Sequence, residues 1–204
     1  FEMFFPLSLG KKIKLLDNAL LIGSALQEDK KVLINTVPSS IRNLIEGEIN
    51  LNNVSIINLA GEPFPIDVAK KLLANKTEVR NLYGPSEYTT YSTSCMLSSQ
   101  AIYNSSIPIG KPISNTQVYI LNEQLEIQPI GCLGTIYISG DGVTRGYLGE
   151  KALTEEKFIA NPFDSLSLMY NTGDIAKWLP DGNIEFLGRK DSQVKIRGYR
   201  IELE

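Results

Sequence analysis

Asn81-Leu82-Tyr83-Gly84-Pro85-Ser86-Glu87 is the stretch that decides the fold. A strand that runs into Gly-Pro and then Ser-Glu ends a parallel strand at the sheet edge where open α/β sheets bind ligands. At such an edge an aromatic ring can cover a purine, a serine hydroxyl can donate to a phosphate oxygen, and a glutamate can hold the hard cation that accompanies polyphosphate. Each residue also has an ordinary reading. Tyr83 can be a packed core aromatic and Glu87 a solvated surface acid.

Upstream, short β-rich runs alternate with helical patterns, the signature of a parallel sheet covered by helices. The spacing predicts strands over 13–16, 32–37, 54–59 and 79–83, with helices over 38–46, where Pro38 opens the first turn, and 66–74. Downstream of about Ile107 the texture changes to short strands punctuated by Gly, Pro and Asn, over 118–121, 135–139, 175–178, 184–187 and 193–196. Pro180-Asp181-Gly182-Asn183 is a turn signal that joins two of them as a hairpin. The Ser-rich 97–106 connects the two parts. The expected fold class is α/β: part of a doubly wound, mostly parallel sheet followed by a β-rich, barrel-like subdomain.

Composition narrows the function classes. A chain of 204 residues with 43% hydrophobic residues can bury a real core. A net charge of −3 with no long run of like charge gives no footprint for nucleic acid or a membrane surface. There is no histidine, which excludes Ser-His and Cys-His catalysis and histidine-bearing metal sites. Cys95 and Cys132 lack CxxC spacing and read as small packed hydrophobes. Without a signal peptide, a membrane-spanning apolar run or a disulfide framework, the expected location is cytoplasmic. The chain opens on Phe1-Glu2-Met3 and closes on Ile201-Glu202-Leu203-Glu204, so it reads as an internal piece of something longer.

Three further blocks follow in order: GTIYISGDGVTRGY at 134–147, YNTGD at 170–174 and GRKDSQVKIRGYRIE at 188–202. With the Asn81–Glu87 stretch they resemble the adenylation domains of nonribosomal peptide synthetases, in the superfamily that also holds acyl-CoA synthetases and luciferases. The wording of the last block favours peptide synthetases. The resemblance implies an adenylate-forming fold divided into an α/β subdomain with the substrate pocket and adenine site (1–104), a β-rich subdomain (105–187), and a hinge with the start of a C-terminal subdomain (188–204). It implies ATP and Mg²⁺ as cofactors, a small amino acid as substrate, and a peptidyl carrier domain with its phosphopantetheine, beside neighbouring modules, as partners. Nucleic acid and membrane are not expected partners.

Residue by residue, the resemblance makes Asp174 the acceptor of both ribose hydroxyls and Arg189 a ribose contact. Tyr83 becomes the ring on adenine, Gly61-Glu62-Pro63 the cover of its other face, and Asn81 a contact at its edge. Ser86 stands near the α-phosphate and Glu87 at Mg²⁺, both acting while a carboxylate attacks α-phosphorus. Such chemistry needs charge neutralisation more than proton transfer, so the lack of histidine is no obstacle. The alternative for Asp174 is a cap that stabilises its own Thr-Gly turn. Asp191, between Gly188 and Gly198, resembles the hinge, with Lys195 and Arg197 beside it; a solvated basic strand is the alternative for that pair. The loop for the β,γ-phosphates and the C-terminal lysine of the family are absent from this sequence, so weak activity is expected of the chain alone.

The family's specificity positions fall on Phe1, Asn35, Asn58, Ala60, Leu82, Thr90 and Tyr91. This crowded, neutral set looks like that of alanine-activating modules in microcystin-type synthetases, and a charged side chain would lose its pairing there. Alanine is the first expectation, with glycine, serine or a small aliphatic residue behind it. Asn35 and Asn58 could instead satisfy strand-edge backbone groups. An acyl-CoA synthetase-like ligase and a nucleotide-binding piece without turnover remain as alternatives.

Overall fold

The computed structural model describes residues 3–18, 21–74, 77–98, 106–190, 194–196 and 199–201, the last two stretches as backbone. After two short helices, α1 (Phe4–Ser8) and α2 (Ile22–Ala25), the order is β1 (Val32–Thr36), α3 (Pro38–Glu46), β2 (Val54–Leu59), α4 (Ile66–Leu73), β3 (Glu78–Tyr83), β4 (Thr93–Met96) and β5 (Lys111–Pro112). These strands form one sheet in the order β1-β2-β3-β4-β5, with β1, β2 and β3 parallel and the last two pairings antiparallel.

α3 starts where Pro38 fixes φ at the first turn, and it buries Pro38, Ile41 and Leu44 at helical spacing. α4 carries Asp67 in its first turn and Lys70 and Lys71 in its last, signs that suit the helix dipole, and buries Val68, Ala69 and Leu72. Both helices pack into one core with Ile34, Ile57, Leu59 and Val79 of the parallel strands. Arg42 on α3 holds Asp67 on α4 through two hydrogen bonds, 2.8 and 3.0 Å.

The strand expected over 13–16 does not form: residues 11–16 are irregular. Leu15 is 80% exposed, and Lys14 is drawn to Glu28 and Asp29, each at 3.0 Å. A short apolar run makes a strand only where a neighbour supplies the ladder, and Lys14, Leu15 and Leu16 add little strand preference of their own.

The second half contains β6 (Thr116–Leu121), β7 (Gly134–Gly140), α5 (Lys151–Lys157), β8 (Phe158–Ala160), β9 (Leu168–Trp178) and β10 (Ile184–Arg189), then the hairpin β11 (Val194–Ile196) and β12 (Tyr199–Ile201). The sheet runs β10-β9-β7-β6, all antiparallel, with β8 also on β9. It does not close among the described residues, so the barrel-like expectation is corrected to an open antiparallel sheet. The long β9 serves β10 at one end and β8 at the other, and β6 and β10 stay apart as edges. The turn expected over 180–183 joins β9 to β10, with Leu179 N donating to Asn183 O at 2.8 Å.

Residues 107–110 strap the sheets together. On one flank Asn81 Nδ2 donates to Pro108 O (2.8 Å) and Thr93 Oγ1 to Ile109 O (2.6 Å). On the other, Ile109 N donates to Ile184 O and Ile184 N to Gly110 O, both at 2.9 Å. No helix among the described residues is long and apolar enough to cross a membrane.

Candidate functional site

Past Tyr83 the chain doubles back so tightly that a Cβ on Gly84 would lie 2.4 Å from Thr90 O and 2.6 Å from Tyr91 Cα. Only glycine allows that approach. Ser92 N then donates to Tyr83 O at 2.8 Å, closing the corner. The return passes through Thr89 (φ 51°) and Thr90 (φ 84°), left-handed conformations that β-branched residues rarely hold. The corner borders a cleft of about 470 Å³ lined by the expected Asn35, Ala60, Gly61, Ser86, Thr90 and Tyr91, completed by Thr36, Val37, Gly84 and Thr89.

Asn35 on β1 and Tyr91 meet across this cleft: Asn35 Nδ2 donates to Tyr91 Oη at 2.8 Å, and Oη reaches Asn35 Oδ1 at 3.1 Å. Asn58 and Leu82 are buried and are not among the lining residues. Asn58 sits in register beside Asn35, and its Oδ1 has no hydrogen-bond partner among the described residues. Phe1 lies outside the described residues.

The second cluster joins both sheets. Tyr83 Oη donates to Asp174 Oδ2, and Arg189 Nη1 donates to Asp174 Oδ1 at 2.6 Å. β10 places Arg189 directly opposite Asp174 in register, so the ion pair is set by strand pairing. Asp174 N in turn donates to Thr172 Oγ1 (3.0 Å), whose hydroxyl donates to Ile136 O (2.8 Å). Burial first, and then the Asp174 charge, push the Tyr83 phenol well above its ordinary range, so it remains a donor at neutral pH. Its ring lies 6.2 Å from that of Phe186, tilted by 37°.

Other expected contacts are partly engaged within the protein. One amide donor of Asn81 is held by the strap. Glu62 tethers α3, accepting from Ser39 N (3.0 Å) and Ser39 Oγ (3.1 Å), while Gly61 turns with φ 85° and Pro63 is exposed.

Ser86 and Glu87 stand in a 3-10 turn, Ser86–Tyr88, with Ser86 exposed and Glu87 5% exposed. Tyr147 Oη donates to Glu87 Oε1 at 2.6 Å. Among the described residues no group of three His, Cys, Asp or Glu side chains forms a metal cage. A single carboxylate, on the residue after the cleft-lining Ser86, nevertheless fits Mg²⁺, which keeps its waters and takes one or two carboxylates plus substrate phosphates.

At the far end Gly188 takes φ 128°. Lys195 lies on β11. Asp191, Arg197 and Gly198 lie outside the described residues. Sequence reasoning missed Tyr147, Tyr170 and Thr172, although all three stand in the blocks at 134–147 and 170–174. Strand alternation would have put Tyr170, Thr172 and Asp174 on one face.

The family model described as "AMP-binding enzyme" matches residues 1–148. A linear gramicidin synthase protein of Brevibacillus parabrevis is 47% identical over 207 residues, covering 100% of this chain and 4% of that protein. Among solved structures, a nonribosomal peptide synthetase protein containing adenylation and PCP domains, bound to a vinylsulfonamide inhibitor, superposes with a TM-score of 0.83 at 27% identity over 94% of this chain and 34% of its own. The Vibrio cholerae adenylation domain AlmE, in complex with glycyl-adenosine-5′-phosphate, gives a TM-score of 0.78 at 29% identity over 91% and 35%. The chain therefore spans only a small part of the synthetases it matches. With its cleft and its Tyr83–Asp174–Arg189 cluster spanning both sheets, the chain belongs to the AMP-binding enzymes, among the adenylation domains of nonribosomal peptide synthetases.

Proposed function

We propose that this chain supplies the nucleoside grip and much of the amino-acid pocket of a domain that condenses ATP with a small L-amino acid, alanine first, releasing pyrophosphate. The aminoacyl adenylate then passes to the phosphopantetheine thiol of a carrier domain in the same megaenzyme, working in the cytoplasm. The observation that carries this reading is the meeting of Asp174 and Arg189 with Tyr83, the residue that precedes the cleft-lining Gly84.

In this reading Asp174 exchanges its internal donors for the ribose hydroxyls, charge-assisted bonds that fix the sugar. Arg189 holds the carboxylate in place, and Tyr83 offers its ring to adenine, with Asn81 at the purine edge and Gly61-Glu62-Pro63 across from it. Ser86, exposed at the cleft, donates to the α-phosphate. Glu87 would hold Mg²⁺, which when bound supplies positive charge against the polyphosphate. Asp191 and Lys195 act at the hinge that turns the domain from adenylation to thiol transfer. Holding carboxylate and α-phosphorus together supplies the rate, with no general base required.

The substrate reading is supported by the Asn35–Tyr91 pair, which places polar groups and a bulky ring in the cleft and leaves no charge to partner a charged side chain. Phe1, Asn58, Ala60, Leu82 and Thr90 complete the proposed pocket. A long acyl chain, the substrate of a CoA ligase, does not suit this lining. That AlmE binds a glycyl adenylate agrees with a small amino acid.

The test is amino-acid-dependent ATP–pyrophosphate exchange with the chain extended on both sides to a whole adenylation domain, across all twenty amino acids. Alanine is expected to give the strongest exchange. Preference for a charged or aromatic amino acid would overturn the pocket assignment, and a folded domain without exchange would leave a nucleotide-binding piece.

A further inference from the structure

The Glu87 carboxylate is buried, and its hold comes from a residue with no role in the reading above. Tyr147 reaches it across 60 residues of sequence to donate at 2.6 Å to Oε1. Two further ties fix the approach: Thr144 N donates to Glu87 O (2.9 Å), and Tyr147 N donates to Thr154 Oγ1 (2.9 Å) on α5. Gly146, at φ 119°, lets the chain pass there, because a Cβ would meet Thr154 Cγ2 at 2.3 Å. The Tyr147 ring stands edge-on to Phe158 at 5.7 Å, and its hydroxyl lies 3.5 Å from Tyr170 Oη on β9.

We infer that Tyr147 is a positioning residue for the metal-binding step: its phenol orients the Glu87 carboxylate toward the cation of the bound nucleotide and, through Tyr170, ties that carboxylate to the strand bearing Asp174. This rests on the proposed role of Glu87 at Mg²⁺. A carboxylate that is one ligand among phosphates and waters gains affinity from being held in one orientation, and loss of such an outer partner typically weakens metal binding about tenfold or more. The ring alone would pack as well without its hydroxyl, so the hydroxyl separates positioning from packing.

The experiment uses the whole adenylation domain, with Mn²⁺ binding followed by the electron paramagnetic resonance of free Mn²⁺ in the presence of a non-hydrolysable ATP analogue. AMP affinity is measured in parallel by calorimetry without metal. Tyr147→Phe is expected to raise the Mn²⁺ half-saturation about tenfold while AMP affinity stays within about twofold, and Tyr170→Phe, which keeps the Tyr147–Glu87 bond, is expected to shift it less. The inference is overturned if Tyr147→Phe binds Mn²⁺ like the parent, if AMP affinity falls in parallel, if only Tyr147→Leu is impaired, or if Tyr170→Phe has the larger effect. Glu87→Gln separates the two ideas: if it leaves Mn²⁺ binding unchanged, the metal role of Glu87 fails and takes this inference with it. If Glu87→Gln abolishes binding while Tyr147→Phe does nothing, only the inference falls.

Discussion

Tyr83 is held as a neutral phenol by burial and by the carboxylate it feeds. In the unfolded chain it ionises near 10, while in the folded chain its pKa lies well above that. Its stabilising contribution is therefore complete below about pH 10 and is lost as pH rises toward the folded value. Tyr83→Phe should make the alkaline decline of stability, followed by urea unfolding from pH 9 to 11, shallower by up to about 1.4 kcal/mol per pH unit, one proton's worth. An unchanged slope would mean that Tyr83 is not the group that titrates. The triad of Tyr83, Asp174 and Arg189 joins residues 91 positions apart, a separation no local pattern encodes. Its members were legible only through ordered blocks resembling a known family. Tyr147 was not, because a tyrosine after glycine reads equally well as packing until the fold brings it to Glu87.

The corner between β3 and β4 stores strain at two threonines and depends on one glycine. Thr90→Gly should stabilise the protein by about 1 kcal/mol by relieving a left-handed β-branched residue, whereas Gly84→Ala should cost about 3 kcal/mol, because its new methyl would strike backbone atoms that cannot rotate away. Chemical denaturation of the pair measures both, and equal effects of the same sign would contradict the geometry. Other elements vary in how far their sequence announces them. α3 formed over the residues expected because Pro38 and the Ile41–Leu44 spacing are local signals. β4, β5 and β8, of two to four residues, gave none, and α5 buries no residue. The failed strand at 13–16 has one β-branched residue, Ile13, and pairs with no strand among the described residues, and that lack of a partner is information that resides in the rest of the chain.

The two sheets meet through the strap, which Ser106 extends by donating to Glu185 on β10. Glu185 is 6% exposed and bonds Lys177 at 2.9 Å. Burial alone would raise its pKa, but Ser106 and Lys177 outweigh it and hold the group below its ordinary 4.5. The sign is the reverse of that for Tyr83: this stabilisation is present above pH 4.5 and disappears as pH falls through the lower folded value. Glu185→Gln should cost about 2 kcal/mol at pH 7 and progressively less toward pH 3, measured by urea unfolding across that range. A constant cost would assign the effect to packing.

Because residues 107–110 use their backbone groups on both flanks, cutting the chain anywhere within 99–105 would break none of these bonds. The pieces 1–98 and 106–204 would then act as complementing halves. Tyr83 rides on one and Asp174 on the other, so under the roles proposed for them nucleoside affinity would appear only on reassembly, making the pair a split reporter of its own association.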